Sequence, residues 1–133
     1  MTDTVVGTEI PPLTLPPISR YTLALFAGAS GDHNPIHIDS DFAKASGMPD
    51  VFAHGMLSMA YLARLLTGWK AQSSIRKFST RFATITQLQD MVTCSGTVVE
   101  IIEAQGETLA RCEIKINNQN GVSTLVGEAT VAL

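Results

Sequence analysis

This sequence has little charge, few aromatic residues and only two cysteines in 133 residues. Charged residues make up 16% of the chain, and the formal net charge is -3 with nine scattered Lys and Arg residues. Because no basic stripe is present, nucleic acid is not an expected partner. Cys94 and Cys112 show no metal-type spacing with histidine, so we expect two reduced core thiols and a cytoplasmic location.

The sequence also lacks a long uninterrupted apolar run and a recognisable signal peptide at its start. The longest apolar stretch, 55–66, contains Arg64 and is too short to span a bilayer, so no membrane partner is expected. Hydrophobic residues make up 45% of the chain, which is enough for a buried core and for further burial in an oligomer. The length is typical of one domain, here residues 1–133.

Prolines and glycines divide the first third of the chain into short elements. Prolines at 11, 12, 16 and 17 exclude a helix there and favour an extended segment or an edge strand. Ser19 is a candidate N-cap for a short, largely buried helix, which we expect Gly28 and Gly31 to end. Asp39 or Ser40 can cap a second short helix with the sequence DFAKAS.

The segment 55–67, GMLSMAYLARLLT, has almost no polar face and therefore predicts a buried helix that ends at Gly68. The rest of the chain is rich in Val, Ile and Thr, and apolar residues alternate with charged ones in 107–117, which indicates strands. The pair Asn120-Gly121 and the segment 104–106 predict tight turns between strands. This order predicts an α+β fold, in which one antiparallel sheet wraps around one apolar helix.

The stretch ASGDHNPIHID at 29–39 concentrates groups that can carry out proton transfer. On a loop bent by Gly31 and Pro35, the Asp32 carboxylate and the His37 imidazole can converge on one water molecule and act as general acid and base. Asn34 can hold the loop or orient the carboxylate through its amide. Asp, Asn, Gly and Pro are also ordinary loop residues, so a simple turn with a surface histidine is equally consistent with the composition.

A second candidate is Gly55, at the start of the apolar helix. Its backbone N–H has no partner within a helix and can stabilise an oxyanion, although a tightly packed helix start is the commoner explanation. Metal binding is not expected, because His33, His37 and Asp39 point differently around a bent loop. His54 is expected to pack or cap structurally, and Ser58 to bond its own helix carbonyl rather than act in catalysis.

SGDHNPIH, followed by five residues and Ala43, resembles the hydratase signature of the MaoC-like family, which comprises (R)-specific enoyl-CoA hydratases and 3-hydroxyacyl-thioester dehydratases. AHGML at 53–57 and RFATIT at 81–86 are similar to the same family in the same order. The resemblance implies a hot-dog fold, with a long central helix wrapped by a curved antiparallel sheet. It also implies reversible addition of water to a trans-2-enoyl thioester, with an R-configured product.

By this resemblance Asp32 and His37 are the catalytic pair, the Gly55 N–H holds the thioester carbonyl, and Asn34 supports the pair. No metal or redox cofactor is implied, and the thiol carrier is coenzyme A or acyl carrier protein. Arg76, Lys77 and Arg81 are candidates for gripping that carrier. The family implies a homodimer. The alternatives are the active half of a heterodimeric dehydratase, or a hot-dog thioesterase; 55–64, however, lacks the acid that such thioesterases use.

Overall fold

The computed structural model of this protein describes residues 3–133, with the helices in the first half and most strands in the second. The α-helices are α1 (Arg20–Ser30), α2 (Ser40–Ala45) and α3 (Gly55–Thr67). The strands are β1 (Glu9–Thr14), β2 (Ile75–Phe82), β3 (Thr93–Ala104), β4 (Glu107–Asn117) and β5 (Ser123–Ala132). Short 3-10 helices cover Pro35–His37 and Gln72–Ser74.

All five strands form one antiparallel sheet in the order β1-β3-β4-β5-β2, and α3 contacts β1, β2, β3 and β4. This arrangement confirms the predicted α+β class and the hot-dog fold, a curved sheet around a helix. β1 is an edge strand, as its prolines predict. Its pairing with β3 is irregular between Ile10 and Leu13, where two prolines cannot donate to the ladder.

The main core lies between α3 and the inward faces of β3, β4 and β5. In β4 the predicted alternation holds, and the buried residues are Ala110, Cys112, Ile114 and Ile116. They pack with the buried residues Leu62, Leu65 and Leu66 of α3. Both predicted turns are confirmed. Gln105 and Gly106 have positive φ values of 51° and 78° between β3 and β4, and Gly121, φ 76°, lies between β4 and β5.

A second apolar cluster lies beneath α1, α2 and the loop that joins them, and consists of Ile18, Leu23, Ala43, Val51, Ala53 and Leu57. Arg20 binds Asp50 with two hydrogen bonds, of 3.2 and 2.6 Å, and also donates to Ser40 at 2.6 Å. The Arg20 guanidinium holds the pKa of Asp50 well below its usual range. The starts of α1 and α2 are thereby tied to the segment before α3, next to the C-terminal end of the 31–39 loop.

Three helix predictions need correction. α1 is not largely buried, because only Leu23 and Ala27 are buried and Tyr21 and Leu25 are exposed. Gly28 does not end α1, which continues to Ser30 and is capped by Gly31 in the left-handed conformation, because a glycine at helical φ is tolerated on this exposed face. Ser19 is the N-cap, as predicted. The helix α3 is buried only where the sheet covers it, and its other face exposes Met56, Ala60, Arg64 and Thr67. Among residues 3–133, no helix is long and apolar enough to cross a membrane.

Candidate active site

The loop after α1 is held in shape by its own short polar side chains. The Asp32 Oδ1 accepts from the backbone N–H of Asn34 at 3.2 Å, and the Asn34 Oδ1 accepts from the Ile36 N–H at 3.0 Å. Asn34 therefore caps the 3-10 helix that carries His37. Asn34 contacts the Asp32 carboxylate through its backbone N–H and not through its side-chain amide. The predicted support of the pair by Asn34 therefore comes from its main chain.

His37 is a largely buried histidine whose ring orientation is set by Phe52. The His37 Nδ1 lies 2.8 Å from the Phe52 carbonyl oxygen, and the two rings meet edge to face with centroids 5.1 Å apart. Because a carbonyl oxygen only accepts, Nδ1 must carry the proton in this contact. The Nε2 of neutral His37 is therefore left with a lone pair that can take a proton.

That Nε2 faces Asp32, so the structure brings the predicted pair together. The His37 Nε2 lies 3.9 Å from the Asp32 Oδ2, with side chains 10% and 50% exposed respectively. The separation is too long for a direct hydrogen bond, but both atoms can contact the same water molecule. A carboxylate open to solvent beside a buried imidazole can orient that water and remove its proton.

His54 completes the pair's surroundings, a role that the sequence did not reveal. Its ring stacks on His37 with centroids 4.0 Å apart, and its Nε2 lies 3.2 Å from the Asp32 carbonyl oxygen. Burial, and then the neighbouring His37, lower the pKa of His54. The expectation that His54 packs is correct, but it makes no side-chain cap to α3 because its ring is turned towards the loop.

Gly55 begins α3, as predicted, and borders a small cavity. Among the described residues, no acceptor is found for its backbone N–H, which is an unpaired donor of the first helical turn. A Cβ built at Gly55 would lie 3.0 Å from the Phe82 Cε1, so the aromatic ring already occupies the space that glycine opens. The cavity, of about 230 Å³, is lined by Phe52, Ala53, Gly55, Ser58, Phe82, Ala83, Thr84, Ile85, Thr86 and Leu125.

Two residues near this cavity correct or extend the sequence interpretation. Ser58 is buried and its hydroxyl lies 3.4 Å from that of Thr86, so the expected bond to a helix carbonyl is not the one formed. The partner lies on a distant segment, which helical spacing does not predict.

Both cysteines are free and buried, as expected. Burial raises the pKa of Cys94 to about 12 and that of Cys112 to about 11, which disfavours the reactive thiolate form of both.

The three cationic candidates for carrier binding lie along β2. Arg76 is engaged by Glu107 at 3.0 and 2.5 Å and by the Ser73 carbonyl at 2.6 Å, at the far end of the strand. Lys77 and Arg81 are exposed on the same strand. Arg81 borders a larger groove, of about 630 Å³, on the outer sheet face, which none of Asp32, His37 and Gly55 lines.

Asp32, His37 and His54 also form a group whose potential metal-ligand atoms lie within 4.8 Å of one another. Two of their ring nitrogens, the His37 Nδ1 and the His54 Nε2, already contact backbone carbonyls. The Asp32 carboxylate and the remaining ring nitrogens are the only ligands this group could offer an ion. The expectation of no metal stays a prediction, and it is tested below.

Comparison with known proteins supplies the class. The family described as "MaoC like domain" matches residues 4–120, and the chain belongs to this family. Membership supports a hydratase or dehydratase activity, with hydration of enoyl thioesters as its general form. The chain is 31% identical over 116 residues to an (R)-specific enoyl-CoA hydratase of Rhodospirillum rubrum, a match that covers 86% of this chain and 78% of that protein.

A second relative, fatty acid synthase subunit beta of Saccharomyces cerevisiae, is 32% identical over 128 residues, 90% of this chain. The chain spans only 6% of the length of that protein. Among solved structures, the (R)-hydratase from A. caviae involved in PHA biosynthesis has a TM-score of 0.85 at 26% identity, with 100% and 99% of the two chains covered. A chain of the ChsH1-ChsH2 complex from Mycobacterium tuberculosis has a TM-score of 0.85 at 25% identity. The match covers 98% of this chain and 99% of that chain.

Proposed function

We propose that this protein catalyses the reversible hydration of trans-2-enoyl thioesters to (R)-3-hydroxyacyl thioesters. The observation that carries the proposal is the 3.9 Å separation between the His37 Nε2 and the Asp32 Oδ2. His54 stacks on His37, and it precedes the Gly55 amide, for which no acceptor is found among residues 3–133. The (R)-hydratases among the relatives and neighbours support the stereochemistry.

In the proposed reaction the pair holds one water, removes a proton from it and directs its oxygen to the β-carbon of the enoyl group. As the C–O bond forms, the electrons of the C=C bond shift towards the thioester carbonyl. A proton returned to the α-carbon then completes the addition. The lone pair on the His37 Nε2 and the Asp32 carboxylate are the two groups that exchange these protons. The proposed reaction uses no metal or redox cofactor, because adding water involves no net oxidation or reduction and the pair moves the protons. Coenzyme A or acyl carrier protein enters as part of the substrate.

The Gly55 N–H is the proposed donor to the thioester oxygen. That oxygen gains negative charge as water adds, and an amide at a helix N-terminus stabilises such charge without reorganising. Gly55 follows His54 in the chain, so its amide lies next to the residue whose ring stacks on His37. Asn34 supports the pair through its backbone N–H and its capping of the 3-10 helix.

The cavity beside Gly55 is the proposed site for the acyl chain. Its larger side chains, Phe52, Phe82, Ile85 and Leu125, are apolar, as an acyl group requires. Lys77 and Arg81 are proposed to attract the phosphates of the carrier, because both are exposed on the strand that ends at Phe82. Arg76 is the weakest of the three candidates, because Glu107 already neutralises it.

We also propose a homodimer. β2 pairs only with β5 within residues 3–133, which leaves one edge of the sheet open, and exposed Met56 and Phe82 add apolar surface nearby. The heterodimeric alternative is favoured by the likeness to a chain of the ChsH1-ChsH2 complex. Native mass spectrometry of the protein expressed alone separates the two: twice the chain mass supports the homodimer, and a soluble monomer that dimerises only with a second protein contradicts it.

We propose a cytoplasmic location, since both thiols are free.

The test of function is the loss of the thioester-enone absorbance when purified protein is mixed with crotonyl-CoA and longer trans-2-enoyl-CoA substrates. We expect turnover, with an (R)-3-hydroxyacyl product on chiral analysis. Absence of turnover with every chain length and with acyl carrier protein substrates would contradict the proposal. Release of free thiol from saturated acyl-CoA would instead support the thioesterase alternative, which lacks support here because α3 carries no acidic residue.

A further inference from the structure

His54 contacts both members of the proposed pair, and its ring is almost completely enclosed, with 1% of its surface exposed. We propose that His54 is a positioning residue that fixes the His37 ring by stacking and the Asp32 main chain by a hydrogen bond. The proposal rests on the proposed hydratase function, because its kinetic consequences are those of the Asp32–His37 pair. It assigns His54 no contact with the reacting atoms.

The hydrogen bonds of His54 define its tautomer. A carbonyl oxygen only accepts, so the 3.2 Å contact with the Asp32 carbonyl requires a proton on the His54 Nε2. The Nδ1 then has a bare lone pair, and it is buried without a partner in the part of the chain that the structure describes. An unpartnered buried nitrogen destabilises a fold. An apolar side chain could fill this space without burying an unpartnered nitrogen, so the imidazole ring of His54 serves a purpose other than packing.

The charge state of His54 suits a support for a residue that exchanges protons. Burial lowers the pKa of His54, and so does the neighbouring His37, so a proton on His37 disfavours a second charge on the His54 ring. A neutral ring face against a cation is attractive, whereas a second imidazolium 4.0 Å away would repel it. The stack therefore tolerates both charge states of His37 without moving it.

The contacts around His54 also hold it in place. Its ring meets Phe26 of α1 edge to face, with centroids 4.8 Å apart, and its backbone is the N-cap position of α3. His37 is consequently held on its face by His54 and at its Nδ1 by Phe52. One residue thus connects α1, the 31–39 loop and the helix start whose first amide belongs to Gly55.

The kinetic test compares His54→Leu and His54→Gln with the control His33→Gln. This control alters an exposed histidine on the 31–39 loop, which also carries Asp32 and His37. We expect His54→Leu to lower kcat by about 10- to 100-fold, as loss of an orienting partner does, with KM changed by less than about threefold. His54→Gln keeps an N–H donor for the Asp32 carbonyl and should recover part of the loss. The control should match wild type. Wild-type kcat in folded His54→Leu would overturn the proposal.

A spectroscopic test on the wild-type protein needs no variant and no turnover. The chain has three histidines, so a long-range proton–nitrogen correlation spectrum separates their ring nitrogens. We expect neutral His54 to show a protonated Nε2 and a bare Nδ1, and His54 to carry less charge at about pH 6.5 than an unperturbed histidine, which is about half charged there. A charged His54 at that pH, or a proton on its Nδ1, would overturn the proposal.

Failure of the hydratase assay is distinguishable from failure of this inference. If wild type turns over no enoyl thioester, the proposed function falls, and the spectrum of His37 still decides whether His54 positions it. We expect the His37 ring signals of His54→Leu to broaden or double, while those of His33→Gln stay sharp and single. Unchanged His37 signals in His54→Leu would overturn the positioning role. If His54→Leu does not fold, the same comparison is made with His54→Gln, whose amide cannot reproduce the stack.

Discussion

The His37 Nε2 lies 3.9 Å from the Asp32 Oδ2 because the Phe52 carbonyl holds the opposite side of the His37 ring at 2.8 Å. This relationship leaves the ring nitrogen that can take a proton directed at a solvent-exposed carboxylate. Two bases this close, but not hydrogen-bonded to each other, can share a water molecule.

The oxyanion role of the Gly55 amide is tested by Gly55→Pro against Gly55→Ala. Both changes add a Cβ near the Phe82 ring, but only proline removes the N–H, and proline is well tolerated at the first position of a helix. His54 already has φ -58° and ψ 136°, which suit the residue before a proline. We expect kcat of Gly55→Pro to be about 10²- to 10³-fold below that of Gly55→Ala.

A matched control for added volume is Gly28→Ala, inside α1, where a Cβ would meet no atom of residues 3–133 within 4 Å. It should keep wild-type kcat and stabilise the fold by about 0.4–1 kcal/mol in a denaturant titration. Equal kcat values for folded Gly55→Pro and Gly55→Ala would show that the amide does not act on the reacting carbonyl.

Stability is expected to fall as the pH drops from 7 towards 5, because of His54. Burial lowers the pKa of His54 in the folded state, so below about pH 6.5 the unfolded chain binds a proton that the folded chain does not. The unfolding free energy therefore rises with pH in this window. Thermal melts at several pH values should show a flatter dependence in His54→Gln than in His33→Gln. Parallel curves for the two variants would argue against a neutral buried His54.

Removal of metal ions is expected to leave activity unchanged. Asp32, His37 and His54 can be drawn as a ligand group, but the proposed proton transfers use the same carboxylate and ring nitrogen directly. Protein treated with a strong chelator and dialysed should keep full turnover, and added Zn²⁺ should inhibit by occupying those atoms. Loss of turnover with chelator, restored by a divalent metal, would replace the acid–base account with a metal-assisted one.

Carrier binding is expected to depend on Lys77 and Arg81 more than on Arg76. Loss of a single contact to a phosphate costs about 1.5–3 kcal/mol, so Lys77→Gln or Arg81→Gln should raise KM roughly tenfold or more, with kcat little changed. Arg76→Gln breaks its ion pair with Glu107 and should affect thermal stability rather than KM. A large rise in KM for Arg76→Gln, with no rise for Lys77→Gln or Arg81→Gln, would contradict this prediction.

The fold could be predicted from the sequence because its signals are local. The alternation in β4, the prolines of β1 and the apolar length of α3 each determine an element from neighbouring residues. Of the two glycines predicted to end α1, Gly31 does so and Gly28 does not, because an exposed helix position tolerates glycine and only Gly31 adopts a positive φ. Burial of α3 was overestimated, since periodicity does not show which side the sheet leaves open. The single domain over residues 1–133 stays a prediction.

The site was predictable only in part, for the same reason. Asp32 and His37 lie on one short loop, so their proximity follows from sequence distance and the family motif. His54 and Phe52 reach His37 from a separate segment, and Ser58 finds Thr86 rather than its own helix. Contacts between segments depend on how α1, α3 and the sheet pack together, which local patterns do not contain.

The most direct measurement is the hydration rate of a trans-2-enoyl-CoA by wild type, Asp32→Asn, His37→Gln and the double variant, each checked for folding by circular dichroism. Because the two groups act on one water, each single change should lower kcat by about 10²- to 10⁴-fold, and the double variant should be hardly slower than the worse single one. Wild-type rates in both folded single variants, or losses that simply multiply, would contradict the shared-water mechanism.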